Sequence, residues 1–285
     1  MAPGTGTTEA AEPTGAAEPT LLVDATPPIA RLTLNRPDKR NALDAETVVR
    51  LADAWAAIVA DPAIRVVLLT GAGDQAFCAG ADLTSLIPLL TRARPAADAW
   101  DERLLAEPQL MNAALLRRTD MAVPVIAAVR GFALAGGTEL VLASDLRVVS
   151  DDARLGLTEV RRGLLPAAGG TVRLPRQIPR ARAAELLLLG DHLTAADALA
   201  LGLVNRVVPG DEVLACATEL AERMAANGPL ALRTIKQTML QADGLPLLDA
   251  FGVEDDGARI VMRSNDAKEG ARAFAEKRPP QFTGT

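Results

Sequence analysis

At 285 residues the chain can bury one large core or two modest ones, and 49% hydrophobic with 23% charged residues is the balance of a soluble globular protein. A formal net charge of −6 excludes a general nucleic-acid binder, which needs a basic surface, but leaves room for an anionic small molecule held by local Lys, Arg and backbone N–H groups. With one His, two Cys and no Tyr, the common acid–base and nucleophilic residues are nearly missing, so proton chemistry would fall to carboxylates.

Residues 1–20 hold Ala, Gly, Thr, Pro and three Glu without Lys or Arg. That composition predicts a disordered tail and fits neither a secretory signal nor a transit peptide. From Ala30 to Asn35 apolar and polar residues alternate, as in a half-buried strand, and Arg36-Pro37-Asp38 turns the chain. Asp44 can cap a helix whose Val48, Leu51, Ala52, Trp55, Ile58 and Val59 share a face, ending at Asp61-Pro62. Val66 to Leu69 and Val123 to Val129 are unbroken apolar runs, the signature of strands covered on both faces. Between them, Asp82 to Arg118 reads as helix broken at Pro88, Pro95 and Pro108.

A short helix is predicted over Gly136 to Ala143 and a strand around Leu146 to Val148. Helices follow at Ala181 to Leu189 and Ala195 to Leu201, then a strand from Leu203 to Val208. The remainder is helical: Glu212 to Ala226, Leu230 to Gln241, Leu245 to Arg263 and Ala267 to Lys277. The expected organisation is a tail (1–20), an α/β body (21–226) and a helical C-terminal region (227–285). No apolar run approaches the roughly 18 residues of a membrane helix, so no membrane partner is expected. Cys78 and Cys216 lie too far apart in sequence to suggest a metal site, and as reduced thiols they suit a cytoplasmic protein.

Glu139 and Glu159 each stand in a segment rich in Gly and Ala, and are the candidate acid–base pair. Gly71-Ala-Gly73-Asp-Gln-Ala76 fits a dinucleotide-binding pattern, but that motif needs a helix to open at once, and Gly80 argues for a loop instead. In Phe77-Cys-Ala-Gly-Ala81-Asp82-Leu83, small residues allow a ligand close to the backbone, and Asp82 could cap a following helix. Gly136-Gly137 repeats the arrangement. Two backbone N–H groups converging from these segments would make an oxyanion hole. His192 and Arg161-Arg162 read as exposed or structural.

Three segments in order, Leu34-Asn-Arg-Pro-Asp-Lys-Arg-Asn-Ala42-Leu43, Ala76-Phe-Cys-Ala-Gly-Ala-Asp-Leu83 and Gly131-Phe-Ala-Leu-Ala-Gly-Gly-Thr-Glu139, resemble the crotonase (enoyl-CoA hydratase/isomerase) superfamily. The resemblance continues through Leu157-Thr-Glu159, Pro166-Ala-Ala-Gly-Gly170 and Thr194-Ala-Ala-Asp-Ala-Leu-Ala-Leu-Gly202, and spans roughly residues 21 to 280. It implies an α/β spiral of ββα units forming two sheets, with C-terminal helices that build a trimer or a dimer of trimers. It implies an acyl-CoA substrate, with coenzyme A part of that substrate and no separate cofactor or metal. Matched motif to motif, the oxyanion donors are Ala81 and Gly136, and the catalytic pair is Glu139 and Glu159. Substrate contacts are implied for Lys39, Arg40, Ala42, Ala79, Asp82 and Leu83, and for Phe274 and Lys277, which in the family sometimes reach across a subunit boundary. The presence of both glutamates favours hydration over a one-base Δ3,Δ2-enoyl-CoA isomerase; a carnitinyl-CoA dehydratase and a non-catalytic acyl-CoA-binding protein are the other readings. Two departures stand out: Gln75 where a lysine is frequent, and Ala167 where many hydratases carry glycine.

Overall fold

The computed structural model describes residues 18–117 and 121–285, so most of the expected tail, residues 1–17, lies outside the described residues. Strand β1 (Leu21–Asp24) pairs antiparallel with β2 (Ile29–Leu34), whose Ala30, Leu32 and Leu34 are all buried, as the alternation predicts. Helix α1 (Ala45–Ala60) starts where Asp44 accepts the Thr47 N–H at 2.9 Å, and it buries Val48, Leu51, Trp55 and Ile58. Val59 departs from the prediction: it lies next to Ile58 but on the solvent side, 44% exposed.

Beyond α1 the chain repeats one move. A strand enters a large sheet, the next enters a small sheet, and helix follows. The first turn is β3 (Val66–Gly71), β4 (Ala76–Cys78) and the short helices α2 (Leu86–Leu90), α3 (Ala99–Ala106) and α4 (Gln109–Ala114). The second is β5 (Val125–Val129), β6 (Phe132–Leu134) and α5 (Gly136–Ala143). The third is β7 (Leu146–Ser150), β8 (Arg154–Gly156), then α6 (Gly170–Gln177) and α7 (Arg180–Leu189). After it come β9 (Leu193–Thr194), α8 (Ala195–Ala200), β10 (Arg206–Val208) and α9 (Val213–Ala225). The C-terminal helices are α10 (Pro229–Ala242), α11 (Leu247–Met262) and α12 (Asn265–Ala275).

The large sheet has the order β1-β2-β3-β5-β7-β10, and the small one β4-β6-β8-β9. This is the α/β spiral of ββα turns that the resemblance implied. The unbroken apolar runs are explained by it: Val67, Leu69, Val125, Ala127 and Val129 face the main core, while Val66, Leu68, Ile126 and Ala128 face α9 through Val213, Ala217 and Ala221.

Several boundaries differ from the predicted ones. Pro88 sits inside α2 rather than breaking it, because at the third helical position its missing N–H forfeits no intrahelical bond. Leu203 is not in a strand: its N–H returns to Ala198 O at 2.8 Å around Gly202, whose φ is +71°, and so closes α8. Helix α6 was not predicted, since Gly170 and an internal Pro175 hide its pattern.

Candidate active site

Each candidate donor amide is exposed by a strand-to-turn junction. Gly80 has φ +88°, and a Cβ there would come within 2.6 Å of Ala135 Cβ and 2.8 Å of Leu134 O. Only glycine lets the segment around it lie against residues 134–136. On either side of Ala81, Leu43 N–H donates to Gly80 O and Asp82 N–H to Leu43 O, both at 2.8 Å. Ala81 N–H finds no protein acceptor among the described residues, nor does that of Gly136, the first residue of α5. A Cβ built on Gly136 would lie 3.9 Å from Ala81 N, so the two amides adjoin one space. Ala135, just before, is held at φ +50° and ψ −122°, strained for a residue with a side chain, and anchored by its N–H to Gly156 O at 2.7 Å.

Glu139 follows one helical turn after Gly136 and is 3% exposed. Its Oε1 accepts the N–H groups of Ala168 at 2.7 Å and Gly170 at 2.8 Å. Burial raises its pKa, and those two N–H groups, with the charges of Arg173 and Arg117, draw it partly back. Glu159 opens a 3-10 turn, Glu159–Arg162, and is 8% exposed. Its Oε2 has no hydrogen-bond partner. Burial pushes its pKa up to about 7, opposed by its own backbone N–H and by Arg162, and reinforced by the charge of Glu139.

Both glutamates and both amides line one cavity of about 630 Å³. Lys39, Arg40, Ala42, Ala79, Asp82 and Leu83 also line it, and Leu86, Ile87, Leu90, Met111 and Leu115 give it an aliphatic wall. Such a space can hold a flexible thioester, fix its carbonyl oxygen on two N–H groups and set two carboxyls against its acyl carbons.

Some expectations need correction. Asp82 reaches the cavity wall, but its carboxylate is turned inward and its part is structural. Oδ2 accepts Arg36 Nη1 and Nη2, each at 3.1 Å, and Oδ1 accepts Thr84 N–H at 2.9 Å. Burial would raise its pKa, and these donors overcome it and hold it at about 2. Asp82 does not cap α2, which begins after Ser85. Phe274 and Lys277 are not part of the cavity lining within one chain; Phe274, on α12, is 87% exposed. As expected, the glycines at 71 and 73 lead from β3 into β4 and not into a helix, and a Cβ on Gly71 would lie 2.4 Å from Phe77 O. Ala167 replaces glycine without strain, since it is absent from the positive-φ residues, and the left-handed residue of that loop is Gly169 at φ +119°.

Arg36 and Arg173 escaped the sequence reading, and Arg162 was expected only as half of a solvated pair; it is exposed, yet it lines the cavity. Arg36 ties Asp44, Asp82 and Ala42 O together beneath the Lys39–Leu43 segment. Arg173 donates to Ala168 O and Leu116 O, bracing the loop that holds Glu139. Arg161 and Arg162 part ways: Arg161 pairs with Asp191, whereas Arg162 lines the cavity. The available signal was spacing, because residues i and i+3 of a 3-10 turn eclipse one another, which puts Arg162 on the face of Glu159. His192 lies edge-on to Phe132, with ring centroids 6.2 Å apart.

The sequence model of the enoyl-CoA hydratase/isomerase family matches residues 24–285. Enoyl-CoA hydratase EchA19 of Mycobacterium tuberculosis is 42% identical over 251 residues, covering 88% of this chain and 91% of that protein. The (E)-benzylidenesuccinyl-CoA hydratase of Thauera aromatica is 37% identical, covering 90% and 96%. The crystal structure of an enoyl-CoA hydratase from Bacillus anthracis superposes with a TM-score of 0.84 at 38% identity, covering 93% of this chain and all of that one.

Proposed function

The chain belongs to the enoyl-CoA hydratase/isomerase family and is an enzyme of the hydratase kind, and from that premise we propose that it reversibly hydrates a 2-enoyl-CoA to the 3-hydroxyacyl-CoA. The observation that carries this reading is the pairing of two buried glutamates with two adjoining, uncommitted N–H groups in one cavity. Lys39 and Arg40 would meet the nucleotide phosphates, and Ala42, Ala79 and Leu83 the pantetheine and thioester. Hydration places an OH on C3 and a proton on C2, with negative charge developing on the thioester oxygen. The N–H groups of Ala81 and Gly136 stabilise that charge; losing one such donor typically costs about 2.7–4 kcal/mol in the barrier.

Glu139 is fixed through one carboxyl oxygen and accepts a proton as the water O–H breaks and the O–C3 bond forms. Glu159, whose pKa near 7 keeps much of it protonated, gives its proton to C2. One proton enters the pair and one leaves, so the dehydration direction uses the same two groups with roles exchanged. These steps need no group beyond carboxyls and amides, and the two free thiols suit a cytoplasmic setting.

Glu139→Gln and Glu159→Gln keep size and hydrogen bonding but cannot carry the proton. Each should lower turnover about 10²–10⁴-fold, and the double variant should lose far less than the product of the two. The measurement is loss of the conjugated enoyl-thioester absorbance on a short 2-enoyl-CoA. Near-normal rates in either variant would reject the two-glutamate mechanism. Absorbance gained from a 3-enoyl-CoA would point to an isomerase, and no change with any substrate to a binding protein.

A further inference from the structure

We propose that the preferred acyl group carries an anion, a carboxylate close to C3, and that Arg162 is the residue that selects it. This rests on the hydratase reading, because it takes the carbons beside Glu159 to be the acyl carbons.

Thr158, Glu159 and Arg162 all line the cavity, and the one-turn 3-10 helix eclipses Arg162 with Glu159. Arg162 is an exposed residue whose guanidinium donates through Nη1 to Thr158 O and Thr158 Oγ1, both at a long 3.3 Å, and forms no salt bridge among the described residues. Its neighbour Arg161 is satisfied by Asp191 and by Leu189 O. Arg162 therefore keeps most of its five donors uncommitted, in a fork that matches a carboxylate.

The rest of that wall offers a neutral chain everything it needs. Leu86, Ile87, Leu90, Met111 and Leu115 are aliphatic. A guanidinium beside the reacting carbons adds nothing to the binding of a saturated tail. Arg117 also lines the cavity and its charge acts on Glu139, so cationic charge reaches the reacting centre from two elements. Asp82, the remaining carboxylate of the lining, is already committed to Arg36. Glu139 and Glu159 also face these cations, but Glu139 is held by two N–H groups and Glu159 is uncharged while it holds the proton for C2. The Arg162 fork is therefore left for a counter-ion that a substrate would bring.

A matched pair of substrates reads this directly: a 2-enoyl-CoA bearing –CH2–COO− on C3, and its neutral isostere bearing –CH2–CH(CH3)2. In the wild-type enzyme kcat/KM should favour the anionic substrate by about ten-fold or more at low salt, a size typical of a charged hydrogen bond. Arg162→Gln should bring that ratio close to one or below it. Arg162→Lys should leave an intermediate ratio, since it keeps the charge but loses the fork. A wild-type ratio of one or less, or a ratio unchanged in Arg162→Gln, overturns the proposal. Calorimetric binding of the two saturated thioesters, which cannot be hydrated, separates this from the reaction assignment. If neither enoyl thioester turns over but the saturated pair still shows the Arg162-dependent preference, the hydration reading fails and the anion site stands. If hydration proceeds and neither assay shows a preference, the anion site alone is rejected.

Discussion

At the scale of single residues, the two glutamates differ in how their burial is compensated. Glu139 has its Oε1 held by two N–H groups, while Glu159 has an oxygen without a partner and titrates near 7. The reactive form in either direction has one proton shared over the pair, so the two directions must have the same pH dependence of kcat/KM, because the overall equilibrium consumes no proton. We expect a bell-shaped profile whose alkaline limb falls through about pH 7 as the pair loses its last proton. A profile that stays flat through pH 7 in both directions would contradict the shared-proton scheme. The same shift bears on stability. With a folded-state pKa above the unfolded value of 4.5, Glu159 binds its proton more tightly when folded. Stability from this group is full below about pH 4.5 and is lost as pH rises through 7. The two candidate acids were legible in the sequence because the shortage of His, Cys and Tyr leaves proton chemistry to carboxylates, and these two stand in segments cleared by Gly and Ala. Arg162 was not, since two adjacent arginines look alike until a turn sends one to Asp191 and the other to the cavity.

At the scale of elements, α5 joins Gly136, the proposed oxyanion donor, to Glu139, and its glycines do separate work. A Cβ on Gly137 would sit 2.2 Å from Cys78 O, so that position holds the helix against β4. A Cβ on Gly136 meets nothing closer than 3.5 Å. Gly136→Ala should therefore fold, with melting within a few degrees of wild type, yet lose at least about 10²-fold in kcat, because the methyl crowds the space before Ala81 N. An active Gly136→Ala enzyme would show that the methyl leaves the oxygen's space open, and Gly136→Pro, which deletes the N–H at the first helical position, would then test the donor itself. The ββα rhythm was legible wherever burial is regular: alternation marked β2, double-sided burial marked β3 and β5, and the Asp44 cap marked α1. It was not legible where tertiary contacts outweigh local preference, as in α6, which keeps a proline inside and starts on a left-handed Gly169. The two donor segments were legible as turns of small residues after strands, while the family resemblance fixed Ala81 and Gly136 within them.

At the scale of the whole molecule, the C-terminal helices divide into an anchored and an uncovered part. On α10, Lys236 reaches into the body to Asp145 at 2.7 Å and Val123 O at 2.9 Å, and Arg233 donates to Ile64 O at 3.0 Å. Helix α11 leaves Leu247, Leu248 and Phe251 exposed, at 69%, 81% and 49%. Apolar side chains so grouped are costly in water and fit an interface between copies. We propose a trimer, or a pair of trimers, in which Phe274 and Lys277 of one copy could approach the cavity of another. Leu248→Glu in a lone chain would be nearly neutral, as a solvated surface change. In the trimer it should drive dissociation, seen as a fall in sedimentation coefficient. A wild-type chain that sediments as a monomer would reject the assembly.

The backbone clamp around Ala81 would tie two ends of an acyl-CoA together. The segment 39–43, a turn through left-handed Arg40 and Asn41 that ends in a bridge at Leu43, receives Ala79 N–H on Arg40 O and bonds on both sides of Ala81, and it begins with the two basic residues proposed to meet the nucleotide phosphates. In the proposed complex, gripping a remote phosphate and aiming the donor at the thioester oxygen would be one mechanical act, a lever whose long arm is the nucleotide handle. Affinity gained far from the reacting bond can be spent on holding the hole in its working shape, so the handle contributes to turnover and is more than an address label.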